Sequence, residues 1–275
     1  MPSDIIEPMF TIKPNLTKLL KNVAVILEQE NCPAYIIGGF VRDALLGRET
    51  NDVDIAVGKE SMEIARKVAE HVGGRCVLLD EVNHVVRVIM VDWEQPVHLD
   101  FSTFWTTIEE DLARRDFTIN AMAIELSRLF SGSATLVDPF KGINDLKKKI
   151  IKAVGSKVFG DDALRLLRAV RLAAQLKFDI DARTKQLMKQ QANLIISIAG
   201  ERQRDELLKL LSLPYCSDWL HYLDKVNLLT AMMPELEFLR GVKQPKEHYW
   251  DVFNHSLEAV ATVEFLLHER VWSYG

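Results

Sequence analysis

Cysteine is scarce in this chain: Cys32, Cys76 and Cys216 lie far apart and are odd in number. They support neither a disulfide framework nor a cysteine-based zinc site, and they fit a reducing compartment. No apolar run approaches the length needed to span a bilayer. Residues 1–10 carry acids and prolines where a secretory leader would be basic and apolar. The expected location is therefore cytoplasmic, with no membrane partner. An excess of positive charge is missing too. A net charge of −5 is not that of a nonspecific nucleic-acid binder, so any RNA contact must come from local patches. Lys147, Lys148, Lys149, Lys152 and Lys157, followed by Arg165, Arg168 and Arg171, form one such patch, although a charge run is as often a solvated face. Internal repeats and low-complexity linkers are also lacking.

What the chain does have is apolar residue enough, 48% of 275 residues, for a sizeable core in one large domain or two. The patterning changes near residue 150. Before it, short apolar runs read as strands at 35–37, 53–57, 76–79, 85–91 and 99–101, with a helix at 61–71. After it, helical periodicity dominates over 161–176, 182–194, 201–211, 217–229 and 255–271, with turns at 178–181, 213–214 and 233–234. The expected class is α+β: a small mixed sheet with flanking helices, followed by an all-helical region.

The most informative stretch is Gly38-Gly39-Phe40-Val41-Arg42-Asp43, followed by Asp52-Val53-Asp54-Ile55. A strand, a glycine turn and a short helix over 41–46 make a phosphate cradle. Glycines let backbone N–H groups approach an anion, the helix N-terminus adds positive potential, and Arg42 adds a charged fork. Gly38, Gly39 and Arg42 are thus nucleotide-binding candidates. The two-residue period of a strand points Asp52 and Asp54 to one face. Carboxylates forced together repel unless cations lie between them. Oxygen ligands beside a phosphate site favour Mg²⁺, and paired Mg²⁺ ions are a standard device for in-line phosphoryl or nucleotidyl transfer. Either motif alone is usually a turn or a solvated strand edge; joined at this spacing they are far more specific. Together, Gly-Gly-x-Val-Arg-Asp-x-Leu-Leu-Gly and Asp-x-Asp closely resemble the head domain of bacterial tRNA nucleotidyltransferases and poly(A) polymerases.

The resemblance implies a catalytic nucleotidyltransferase head over 1–150 and a helical neck over 151–240 that selects the nucleotide and contacts RNA. Over 241–275 it implies the start of an HD-like helical domain whose first metal ligand would be His255, but no His-Asp pair follows in the sequence, so metal is not expected there. In His98-Leu99-Asp100-Phe101-Ser102 the alternation lets Asp100 share the face of Asp52 and Asp54, and the resemblance makes it the third metal carboxylate. The segment Arg114-Arg115-Asp116-Phe117-Thr118-Ile119-Asn120-Ala121 offers a guanidinium for phosphate and a carboxylate and amide for a ribose hydroxyl. In isolation it suits a helix-end salt-bridge network equally well. It matches a family motif, which implies Arg115 for phosphate and Asp116 and Asn120 for ribose.

Asp162 and Arg165, three apart on the expected helix, share a face. Cytosine and adenine place an exocyclic amine beside an unprotonated ring nitrogen, which an acceptor and a donor fork match; uracil and guanine mismatch them. An ordinary i,i+3 salt bridge is the plainer alternative. The resemblance implies a protein template for nucleotide choice here, with Arg168 and Arg171 as further nucleotide contacts and Asp161 standing where Glu is commoner. Residues 201–211 resemble the family's neck motif, where Leu207, Leu208, Leu210 and Leu211 are expected to pack.

The implied reaction adds C, A or both from CTP and ATP to the 3′ end of tRNA, with two Mg²⁺ ions on Asp52, Asp54 and Asp100. The segment between Phe101 and Glu109 is shorter than the flexible loop common in members that add C before A. Addition of the terminal A alone, or poly(A) synthesis, therefore stands beside CCA addition. An inactive RNA-binding fragment is the alternative from another class.

Overall fold

A computed structural model describes residues 12–91, 93, 95–131, 134–245 and 249–269. They fall into two compact units, divided between Leu146 and Lys147.

The first unit opens with α1 (Pro14–Gln29), which carries none of the motif residues and is absent from the sequence-based elements. Proline suits the first helical turn, and Leu16, Leu19, Leu20, Val23, Ile26 and Leu27 make a buried stripe at helical spacing. Then follow β1 (Ala34–Ile37), α2 (Gly38–Leu45), β2 (Asp52–Val57), α3 (Ser61–Val72), β3 (Arg75–Asp80), β4 (Val85–Met90), β5 (Val97–Thr103) and α4 (Ile108–Ala113). A 3₁₀ turn (Thr118–Asn120), β6 (Ala123–Glu125), β7 (Leu136–Val137) and α5 (Gly142–Lys147) complete it. The strands form one mixed sheet in the order β3-β4-β5-β2-β1-β6-β7. Only β2 and β5 pair in parallel; the other neighbours are antiparallel.

Burial sets the register that the site depends on. Along β5, Val97, Leu99, Phe101 and Thr103 are buried while His98, Asp100 and Ser102 are half-exposed. Burying a Leu or Phe side chain stabilises by about 1.5–3 kcal/mol. A one-residue slip would put Asp100 in the core and Leu99 and Phe101 outside.

In the second unit, β8 (Ile150–Ile151) pairs in parallel with β9 (Asp179–Ile180), so part of the segment expected to be a turn is a short strand. The helix expected over 161–176 is two pieces, α6 (Val158–Asp161) and α7 (Arg165–Leu176). Next come α8 (Ala182–Gln191), capped by the Asp181 carboxylate, and α9 (Gly200–Leu211). The helix expected over 217–229 divides at Asn227, whose left-handed φ of 62° separates α10 (Cys216–Lys225) from α11 (Leu228–Met232). In α12 (Val252–Glu269), Glu264 accepts hydrogen bonds from the Cys216 and Ser217 backbone N–H groups, capping α10. Among the described residues no helix is long and apolar enough to cross a membrane.

Candidate active site

The centre of the site is Asp54, half-buried on β2. Gly38, at the start of α2, has φ +71°, and a Cβ there would lie 2.7 Å from Arg115 Nη1 and 2.8 Å from Asp54 Oδ2. Both the backbone conformation and the crowding require glycine. The Gly39 backbone N–H donates to the Asp54 carboxylate. The glycine pair therefore brings a helix start, a carboxylate and a guanidinium into one place. The Asp54 carboxyl is pushed above its ordinary value by burial, and Asp100 and Asp52 raise it further, against the opposing pull of Arg115 and the Gly39 N–H. A divalent cation is what this arrangement of like charges favours.

Asp100 lies directly beside Asp54 in the parallel register. Both of its oxygens accept from Arg87 of β4, Nε and Nη2 each at 2.7 Å. Asp52 is exposed, and its Oδ1 lies 2.7 Å from His98 Nδ1. Among the described residues no three His, Cys, Asp or Glu side chains are gathered into a ready metal cage. The donor set nonetheless suits a hard cation, being all carboxylate oxygen with Asp54 held up by its neighbours.

Arg42, expected as a phosphate fork, is 6% exposed. Its Nε and Nη2 bind the Asp43 carboxylate at 2.9 and 2.7 Å, and Nη1 donates to Asn120 Oδ1 at 2.7 Å. Asn120 in turn donates to Asp116 Oδ1 at 3.0 Å, as does the Phe117 N–H at 2.7 Å. Residues read from two separate motifs are thus one buried network, because a desolvated guanidinium must be paired. Arg115 is different. Among the described residues its buried Nε has no hydrogen-bond partner and lies 3.7 Å from Asp111 Oδ2, while Nη1 approaches Gly38.

In the second unit the expected geometry is corrected. Asp162 is not helical: its backbone is extended (φ −152°, ψ 107°) between α6 and α7. Its Oδ1 accepts from the Leu164 N–H at 3.1 Å, a local cap that begins the helix after it, and its Oδ2 accepts from Arg202 of α9 at 3.1 Å. Arg165 opens α7 and donates to the Val158 carbonyl at 3.2 Å. The i,i+3 helical face is therefore replaced by two side chains flanking a helix start. Arg168 is half-buried in the first turn of α7. Arg171 turns to α9, with Nε 2.6 Å from Glu206 Oε2 and Nη1 2.8 Å from Gln175. In α9 the buried positions are Glu206 and Leu210, whereas Leu208 and Leu211 are exposed. Lys147, Lys148, Lys149, Lys152 and Lys157 are all exposed. His255 lies in the first turn of α12; the preceding residues 246–248 are outside the described residues.

Arg87, His98 and Asp43 bind candidate site residues but are given no role by the motif reading. Alternation in β4 places Arg87 on the polar face, but the strand pairing that sets it opposite Asp100 has no local sequence signal.

Comparison with known proteins decides the family. The poly(A) polymerase head domain matches residues 34–152, and the probable RNA- and SrmB-binding site of polymerase A matches residues 177–239. The chain belongs to the tRNA nucleotidyltransferase and poly(A) polymerase family. It is similar to a CC-adding tRNA nucleotidyltransferase of Geobacter sulfurreducens, 43% identical over 183 residues, covering 66% of this chain and 41% of that protein. A Thermotoga maritima CCA-adding enzyme complexed with tRNA has TM-score 0.74 and 30% identity, over 92% of this chain and 63% of that one. A CCA-adding enzyme solved with ATP has TM-score 0.73 and 30% identity, over 85% and 55%. The chain spans about half the length of the curated relatives it matches.

Proposed function

We propose that this chain is the head and neck of an RNA nucleotidyltransferase that adds C, A or both, from CTP and ATP, to the 3′ end of tRNA. The observation that carries the reading is Asp54, fixed beside a glycine-started helix and Arg115 and flanked in register by Asp100. Asp52 and Asp54, with Asp100, are the residues to hold Mg²⁺, which supplies a lowered pKa for the attacking hydroxyl and charge neutralisation for the triphosphate. Arg115, whose buried Nε has no hydrogen-bond partner among the described residues, is the cation offered to the triphosphate alongside the Gly38 and Gly39 backbone. The Arg42–Asn120–Asp116 network holds the ribose-facing groups rigid, so that little reorganisation is needed as charge develops. Asp162 and Arg165 are the proposed base-reading pair, Arg168 a further nucleotide contact, and the exposed lysines from Lys147 to Lys157 the RNA surface.

A second reading, addition of the terminal A alone, is favoured by one observation: only residues 104–107 connect β5 to α4, with no room for a long flexible loop. The test is incubation with tRNAs ending before, within and after the 3′ CCA, each labelled nucleotide supplied separately. Incorporation restricted to C and A supports the main reading. A alone, on tRNA ending in CC, supports the second, and none on any tRNA leaves an RNA-binding fragment.

A further inference from the structure

The row of residues across the sheet at the site runs Arg87 on β4, Asp100 on β5 and Asp54 on β2, each paired in register with the next. One positive and two negative charges thus stand side by side on a single polar face, with the Arg87 and Asp100 side chains only 28% and 17% exposed. The Arg87 fork takes both oxygens of Asp100, at 2.7 Å each, in the bidentate geometry that carboxylates bind most tightly. Those are the oxygens that a third metal carboxylate would offer. A guanidinium stays charged at every accessible pH, so the contest between it and a divalent ion does not depend on a proton.

We propose that Arg87 is a positioning residue that competes with the divalent ion for Asp100 and so sets the metal affinity of the site. This rests on the metal-dependent reading above. With Arg87 in place, Asp100 is kept from repelling Asp54, and the polar face is preorganised. The same pairing opposes metal entry, because an incoming ion meets a fixed positive charge and a carboxylate already engaged. Lysine can supply the charge at this position but not the fork.

The test is Mn²⁺ titration of the full chain without nucleotide, followed by spin resonance, on wild type, Arg87→Gln, Arg87→Lys and Asp54→Asn. Removal of one fixed charge at short range is expected to tighten Mn²⁺ binding about five- to tenfold in Arg87→Gln, with Arg87→Lys between it and wild type. The difference between melting curves in EDTA and in excess Mg²⁺ gives a readout that a purely structural ion pair would not move. Arg87→Gln should melt below wild type in EDTA and recover in excess Mg²⁺, whereas loss of a structural pair lowers both curves equally. Unchanged or weaker Mn²⁺ binding in both Arg87 variants, with Asp54→Asn weakened, overturns the inference and leaves the metal reading standing. Asp54→Asn binding Mn²⁺ as wild type overturns the metal reading and the inference with it.

Discussion

Two arginine–carboxylate pairs of nearly equal length serve the two units in different ways. Arg87 and Asp100 meet on the open face of a sheet with a second carboxylate, Asp54, in the adjacent register position. Arg171 and Glu206 join α7 to α9 at 2.6 Å, with Glu206 only 4% exposed and Lys209 3.5 Å away as an additional cation. The first guanidinium is committed to one carboxylate amid a crowd of negative charge; the second serves one buried acid and holds two helices. The chemistry of the pair is common to both. What surrounds it decides whether breaking it should be felt in catalysis or in folding.

The largest separation of those two outcomes should come from Asp54→Ala. Nucleotide incorporation should fall by about a thousandfold or more, since the proposed metal and triphosphate contacts converge on this carboxylate. Stability should move the other way. Burial and like charges raise the Asp54 carboxyl in the folded state, so at neutral pH its ionised form opposes folding and its removal relieves that cost. The variant should melt at or above wild type in EDTA. A strongly destabilised Asp54→Ala protein would assign the residue to the fold.

Arg171→Ala should give the reverse pattern. It leaves Glu206 buried without its main partner, which costs about 3 kcal/mol by urea denaturation, at the lower end of the usual range because Lys209 remains. Arg171→Met combined with Glu206→Leu should recover much of the loss, since neither charge is then stranded. Nucleotide selectivity should be unchanged in the refolded single variant. A selectivity change without a stability change would return Arg171 to the nucleotide-contact role that its place in the sequence suggests.

The same contrast separates what was legible in the sequence from what was not. Strand faces were legible because alternation is enforced over several residues at once: Leu99 and Phe101 on one side commit Asp100 to the other. Pairing between strands was not, so Arg87 escaped notice although its own face was readable. Helix starts depend on a single local hydrogen bond. Asp162 accepting from Leu164 delayed α7 to Arg165, and a pair expected on one helical face became two residues flanking a cap. Leucine periodicity in α9 likewise suggested four packing positions, but the partner helix takes Glu206 and Leu210 and leaves Leu208 outside.

Arg165→Ala addresses the helical unit's proposed chemistry. If Arg165 supplies donors to the base, discrimination against UTP and GTP should relax, and use of the correct nucleotide should fall about ten- to hundredfold, as for a lost charged hydrogen bond of about 1.5–3 kcal/mol. Its side chain is half-buried and donates to the Val158 carbonyl at the start of α7, away from the apolar core, so the fold should survive. Unchanged rate and unchanged selectivity, measured with each triphosphate separately, would make Arg165 only a helix-end residue.

The smallest effect, and the finest test of the comparison, belongs to Arg202→Ala. Arg202 is half-exposed and touches Asp162 through one 3.1 Å contact, the kind of surface pair whose loss costs below about 1 kcal/mol of stability. The Asp162 cap on Leu164 does not involve Arg202, so the start of α7 should be retained and circular dichroism unchanged. What Arg202 controls is the direction of the second Asp162 oxygen. If that oxygen reads a base, freeing it should weaken preference for C or A by about threefold, the equivalent of about 0.6 kcal/mol in positioning. Asp162→Ala should produce a larger selectivity loss together with a cap defect of about 1 kcal/mol. The double variant should then be no worse in selectivity than Asp162→Ala alone, because Arg202 acts only through Asp162. Additive selectivity losses in the double variant would show that Arg202 meets the substrate itself.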